Sequence, residues 1–155
     1  MKTFFKNLLP TIEILVSSII VAYVGQTVDS WLTIHSIFSY WATLTGVVVL
    51  LFGIVVRIWA TVAFSRNKVK VLQLSAPDTL VQDGPYAYSR NPLYVGIFCM
   101  VLGVALLLGS VTAVLFSVLL LFFANWWIQT REEPSLLKKF GDSYKNYLQV
   151  TRRWV

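Results

Sequence analysis

Four stretches of the chain are almost free of polar residues: about 11–28, 40–63, 93–108 and 111–128. A helix rising 1.5 Å per residue needs about 20 such residues to cross roughly 30 Å of hydrocarbon. The third stretch, near 24 Å by the same rise, is short, so a helix built from it dips deeply or crosses with thinning of the bilayer. Only Gly109 and Ser110 separate it from the fourth. The pair therefore predicts a tight helical hairpin whose two ends share one membrane face. The first stretch follows Lys2 and Lys6, as in a secretory signal, but no small-residue cleavage pattern comes after it. Asp29 and Trp31 read as an interfacial end, so we expect a retained helix.

The polar segments lie between and after these runs. The long connection 64–92 starts basic and then carries Pro77, Asp78, Asp83, Gly84 and Pro85, which is turn chemistry. Pro92 suits the first turn of the third helix, with Asn91 as its N-cap. After the hairpin, Glu132, Glu133 and Pro134 read as a new helix start, acids at the positive end of the dipole, with Leu136, Leu137 and Phe140 as an apolar stripe. Gly141 reads as a stop, and Asp142 as the cap of a second short helix whose inner face holds Tyr144, Tyr147 and Leu148. Both short helices are expected to lie on the interface. The pattern thus predicts one all-α integral membrane domain over 1–155, with about four transmembrane helices: an N-terminal pair (1–63), a loop (64–92), the hairpin (93–128) and an interfacial segment (129–155).

Composition agrees with a membrane protein: 57% of the 155 residues are hydrophobic and 13% charged, and the mean hydropathy is +0.69. Lys2, Lys6, Arg66, Lys68, Lys70, Arg90, Arg131, Lys138, Lys139, Lys145, Arg152 and Arg153 all fall on one predicted face, and the opposite loop 29–39 has no basic residue. The positive-inside rule then makes both termini and the 64–92 loop cytoplasmic, in the inner membrane if the source is bacterial. That bias, with anionic lipid facing it, accounts for the net charge of +6 without a nucleic-acid partner. Cys99, the one cysteine, sits within the third run and reads as an inert thiol, and His35, the one histidine, stands alone in the outer loop. No metal-ligand spacing and no Ser/His/Asp triad can be drawn from them.

Candidate chemistry gathers near the cytoplasmic ends. Arg57 is the basic residue deep in an apolar run, a costly placement that snorkelling or function must explain. Glu13 reads as an interfacial acid. Glu132 and Glu133 either complement a helix dipole, pair with Arg90 or Arg131, or accept hydrogen bonds from a ligand's hydroxyls. Tyr86, Tyr88, Tyr94, Tyr144, Tyr147, Trp126, Trp127 and Trp154 form an aromatic belt at that interface, or wall a pocket for a planar or cationic ligand.

Two motifs, GPYAYSRNPLYVG at 84–96 and REEPSLLKKFGDSYKNYLQVTRRW at 131–154, flank the hairpin. Together they resemble the isoprenylcysteine carboxyl methyltransferase family of membrane enzymes and the wider group that includes phospholipid methyltransferases. The resemblance covers roughly 80–154, and Arg57 also falls where such proteins often carry arginine. It implies S-adenosylmethionine as cofactor and a lipophilic acceptor that enters from the bilayer among membrane lipids. The cofactor would lie against Tyr88, Asn91, Pro92, Tyr94, Val95, Gly96, Glu133, Leu136, Tyr144 and Tyr147. Glu133 suits the ribose diol, and Asn91, Tyr94 or the helix start after Pro92 suit the amino-acid carboxylate. Arg57, Arg90 or Arg131 would orient a carboxylate acceptor, whereas Glu132 would take a proton from an amine acceptor. In a bacterium a small lipid or quinone-like acceptor fits better than a prenylated protein. One departure is Asn91, where the family usually has histidine; asparagine exchanges hydrogen bonds but carries no charge. Two other functions remain open at this point: a non-catalytic binding or assembly module that keeps the fold, motivated by Asn91, and an NADPH-dependent reductase similar to the membrane sterol reductases.

Overall fold

The computed structural model describes residues 2–34, 40–67, 69 and 77–154, with side chains from Leu8 onward. His35, Lys68 and Lys70 lie outside the described residues, as do the side chains of Lys2 and Lys6. Among the described residues six α-helices follow one another: α1 (Lys2–Trp31), α2 (Tyr40–Arg66), α3 (Pro92–Leu107), α4 (Val111–Trp127), α5 (Glu133–Phe140) and α6 (Asp142–Val150). A 3₁₀ turn at Gly84–Ala87 precedes α3, and a π turn at Ile128–Glu132 joins α4 to α5. Among the described residues the one β-type pairing is an isolated parallel bridge between Ser89 and Arg152. Each of the four apolar runs forms a helix. Leu8–Trp31, Tyr40–Arg66 and Val111–Phe140 are long and apolar enough to cross a membrane, and α3, at 16 residues, is shorter, as its run length foretold.

Lipid tails are as apolar as leucine, so helices in a bilayer associate where small residues let backbones approach. The α2–α3 contact is of this kind. A Cβ placed on Gly53 would lie 2.8 Å from the backbone N of Met100 and 2.9 Å from the carbonyl O of Gly96. Two turns away, one placed on Gly46 would lie 2.9 Å from the Gly103 carbonyl, and one on Gly103 would lie 2.6 Å from the N of Leu50. Cys99, half-buried, packs into the same seam against Gly53. The seam also presses Arg57 onto the first turn of α3, because a Cβ on Gly96 would stand 2.8 Å from the Arg57 Cβ.

At the opposite end of the bundle, α1 holds the hairpin turn. Gly109, at φ +66°, makes the turn. The Ser110 hydroxyl caps α4 by accepting from Ala113 N at 3.1 Å and donates to Asp29 Oδ2 at 2.7 Å. Thr112 N donates to Asp29 Oδ1 at 3.1 Å. Asp29, read from sequence as an interfacial end, is thus a buried acceptor with its partners in place.

Three local expectations are met only in part or not at all. The expected start at Glu132–Pro134 is the start of α5 at Glu133, but it is not a free helix end: α4 passes into α5 through the π turn, the Glu133 N–H bonding to the Ile128 carbonyl. That π turn shifts the bonding register just ahead of Pro134, whose missing N–H would otherwise interrupt an α ladder. Asn91 occupies the N-cap position of α3 but its side chain makes no capping bond. Asp142 is not the cap of α6 either; Gly141, at φ +53°, takes that position, and Asp142 pairs with Lys145 at 2.8 Å. The inner face of α6 is as expected, with Tyr144 and Tyr147 buried.

The seam sets a test. Gly53→Val forces a branched side chain into backbone contact, and overpacking of this kind costs about 1–3 kcal/mol. Val55→Ala, on the exposed face of α2, is the control and shifts stability by about 0.5 kcal/mol or less. Thermal unfolding in detergent reads both, and equal midpoints for the two variants would contradict a close-packed seam.

Candidate active site

The 3₁₀ turn and the start of α3, the π turn with α5, and the last residues of the chain meet at one end of the bundle. Glu133 is the centre of this meeting. Arg153 donates a two-pronged pair to it, Nε to Oε1 at 3.0 Å and Nη2 to Oε2 at 2.9 Å. Arg90 Nη1 lies 3.1 Å from Oε1, in charge contact but without an aligned hydrogen bond. The chain beyond α6 runs alongside 89–91: Arg90 N donates to the Arg152 carbonyl at 2.9 Å, and both Ser89 Oγ (3.2 Å) and Asn91 Nδ2 (3.1 Å) donate to the Arg153 carbonyl. Trp154 Nε1 reaches Asn125 Oδ1 on α4 at 3.3 Å.

Beside this strap stands a wall of phenols. Tyr147 donates to the Tyr86 carbonyl at 2.6 Å, and the Tyr86 ring stacks on Phe64 with centroids 4.9 Å apart. Burial pushes the Tyr86 and Tyr147 hydroxyls above the ordinary phenol range, and burial with the Glu133 charge moves Tyr144 up to about 12. At neutral pH all three are uncharged, so they offer hydrogen bonds and ring faces rather than phenolate bases.

A second polar group sits deeper. The Arg57 guanidinium, buried, donates from Nη1 to the Leu93 carbonyl at 3.2 Å and lies in electrostatic reach of Tyr86 and Tyr94. Tyr94 donates a very short hydrogen bond to Glu132 Oε1. Several buried donors make no aligned hydrogen bond within the protein: Arg57 Nε, Arg90 Nε, the Tyr86 hydroxyl and Arg90 Nη1, the last in charge contact with Glu133. Thr61 Oγ1, one turn along α2 from Arg57, makes none either. An unmet buried polar group costs about 1–3 kcal/mol, so this set is suited to polar atoms of a ligand. Next to it, between α3 and α4, runs a groove of about 210 Å³ lined by Tyr94, Ile97, Phe98, Leu120, Leu121, Phe123, Ala124 and Trp127. Tyr94 belongs to both places, its ring in the groove wall and its hydroxyl on Glu132.

Of the residues singled out from sequence, the fold gathers Arg90, Asn91, Glu133, Tyr144 and Tyr147 in one cluster and Arg57, Tyr94 and Glu132 in the next. Pro92 is buried in the first turn of α3, Gly96 belongs to the glycine seam, and Val95 and Leu136 are half-buried. Tyr88 is exposed, its ring beside Trp59 at 6.2 Å, and Arg131 is exposed. Arg57 pairs with neither glutamate; the Leu93 carbonyl is its partner. Glu13 is exposed on α1. Sequence reasoning passed over Arg153 and Ser89. Arg153 reads as one more charge in a basic tail, and no local spacing marks the sharp return that brings it back onto Glu133.

Comparison with known proteins gives a family model for phospholipid methyltransferases that matches residues 41–143. The protein-S-isoprenylcysteine O-methyltransferase of Schizosaccharomyces pombe is 46% identical over 87 residues, 56% of this chain and 33% of that protein. The human protein of the same name is 31% identical over 136 residues, 81% of this chain and 48% of that one. The solved structure of a eukaryotic intramembrane Ras methyltransferase, an isoprenylcysteine carboxyl methyltransferase, superposes with a TM-score of 0.66 at 26% identity, covering 92% of this chain and 50% of that one. The chain spans half or less of the length of these relatives. With the family model covering most of the bundle and the fold shared along nearly its whole length, the chain belongs to the phospholipid methyltransferase family.

Proposed function

We propose that the protein transfers a methyl group from S-adenosylmethionine to a lipophilic, membrane-embedded acceptor at the cytoplasmic interface. Tyr94 carries the reading: one residue joins an apolar groove between two membrane helices to a cluster of buried polar side chains with unmet donors. The names of the relatives favour methyl transfer over a reductase or a binding module.

The residues present fit the donor. Arg90, with Nε unpartnered and Nη1 in charge contact with Glu133 but without an aligned hydrogen bond, and Asn91 would face its amino-acid carboxylate. Glu133 keeps acceptor capacity on Oε2 beside Arg153, which suits a ribose hydroxyl. The neutral rings of Tyr144 and Tyr147 offer the surface that a sulfonium prefers. When bound, S-adenosylmethionine supplies an activated methyl group that passes to an acceptor lone pair by in-line displacement. The protein's own part is positioning and exclusion of water. The groove would hold the apolar chain of the acceptor and lead its head to Tyr94. Arg57, with Nε and a neighbouring Tyr86 hydroxyl unmet, would orient a carboxylate there, and a carboxylate acceptor has no proton to lose. Glu132 would take the proton of an amine acceptor instead, and the free donors on Arg57 favour the carboxylate.

Two measurements follow. Arg57→Ala leaves S-adenosylhomocysteine affinity within a few-fold, because Arg57 serves the acceptor, but abolishes methyl transfer to an S-isoprenylated N-acetylcysteine. Arg57→Lys restores little, since a point charge does not reproduce a planar fork. Near-normal turnover in the Ala variant would return Arg57 to a packing role. Transfer to phosphatidylethanolamine in place of the thioether acid would move the proton-taking role to Glu132.

Orientation is tested separately in a Cys99→Ser background. A cysteine at position 145 labels with an impermeant maleimide only after the membrane is opened, and one at position 33 labels in intact cells or vesicles. The reverse pattern would place the polar cluster on the outer face.

A further inference from the structure

Arg153 is the residue on which the closed strap converges, and nothing in the sequence singled it out. Its guanidinium takes both oxygens of Glu133, while its own carbonyl accepts from Ser89 and Asn91. On either side, Arg90 N bonds to the Arg152 carbonyl and Trp154 to Asn125. One residue is therefore fixed through both its side chain and its backbone, to α5 and to the segment just before α3.

Three facts define what this fixing does. Glu133 is contacted by two arginines, and Arg153 alone makes aligned hydrogen bonds to it. The Arg153 fork thus neutralises the carboxylate, so Arg90 is held near Glu133 without spending Nε or Nη1 on an aligned bond. Asn91, likewise, uses its amide N–H on the Arg153 carbonyl and makes no cap bond to α3.

We propose that Arg153 is a positioning residue for the methyl donor: by holding Glu133 it leaves the buried Arg90 Nε open to an anionic group, and through Ser89 and Asn91 it latches the C-terminal strap over it. This rests on the methyl-donor reading above. Asparagine at 91 then serves as a strap holder, a task that needs one N–H and no charge.

The experiment compares the wild-type chain with Arg153→Gln, Arg153→Lys, Glu133→Gln and the Arg153→Gln/Glu133→Gln pair, in detergent. Hydrogen exchange and trypsin cleavage after Arg152 and Arg153 are measured without ligand, and S-adenosylhomocysteine affinity by calorimetry. Arg153→Gln accelerates exchange at the Arg90 amide and weakens affinity roughly tenfold or more, the scale of a lost hydrogen bond to a charged group. Arg153→Lys recovers only part of this, and the double variant binds no worse than Glu133→Gln alone. Trypsin cuts Glu133→Gln faster than wild type although both arginines remain. Affinity within twofold of wild type in Arg153→Gln, or losses that add in the double variant, would overturn the proposal. Should wild type bind no S-adenosylhomocysteine, the donor reading falls, while unchanged ligand-free exchange at Arg90 and in the strap would separately sink the latch. If Arg153→Gln does not fold, Arg153→Lys with Glu133→Gln carries the same coupling test.

Discussion

The backbone contact between α2 and α3 is the constraint from which the rest of the molecule follows. Inside a bilayer no hydrophobic force draws two helices together, and their attraction comes from close packing. Gly46, Gly53, Gly96 and Gly103 remove the side chains that would hold the axes apart. Once the helices touch there, Arg57 cannot reach lipid: it is pinned against the first turn of α3, with the Leu93 carbonyl as partner. The segment 84–91 is then suspended above α2, where Tyr86 stacks on Phe64, and the start of α3 is set for the residues that return from α6.

Two environments result, one on each side of Tyr94. Towards α6 and the strap there are charges, neutral phenols and donors with nothing to bond. Towards the bilayer there is an apolar groove between α3 and α4. The proposed methyl transfer to a lipid would use both, a polar place for a water-soluble donor and a greasy one for the acceptor, with the reacting atoms at their boundary. Glu132 marks that boundary from the π turn, where the local change of helix register aims adjacent Glu132 and Glu133 at different partners, Tyr94 and the Arg90–Arg153 pair.

Much of this could be read along the chain because it is written in local patterns. The helices are apolar runs of bilayer length, the hairpin is a two-residue gap between two such runs, and the clustering of motifs at one face follows from the hairpin. Arg57 stood out because a charge in hydrocarbon is rare. What escaped depends on contacts across the fold. Pro134 does mark the start of α5, but that α4 runs into it without a break depends on the π turn, a register change with no sequence mark of its own. Asn91 does stand at the N-cap of α3 before a proline, but its side chain makes no cap bond and its Nδ2 donates instead to a carbonyl more than sixty residues later. Arg153 was hidden among basic residues that a membrane surface explains equally well.

A structure with S-adenosylhomocysteine and an S-isoprenylated N-acetylcysteine bound together would locate donor and acceptor relative to Tyr94. The account predicts the nucleoside compound between residues 86–96 and 133–153, with its carboxylate on Arg90, and the isoprenoid chain along Ile97, Phe98, Phe123 and Trp127, its head group beside Tyr94. A donor bound away from Arg90 and Glu133, or an isoprenoid chain outside the α3–α4 groove, would contradict it.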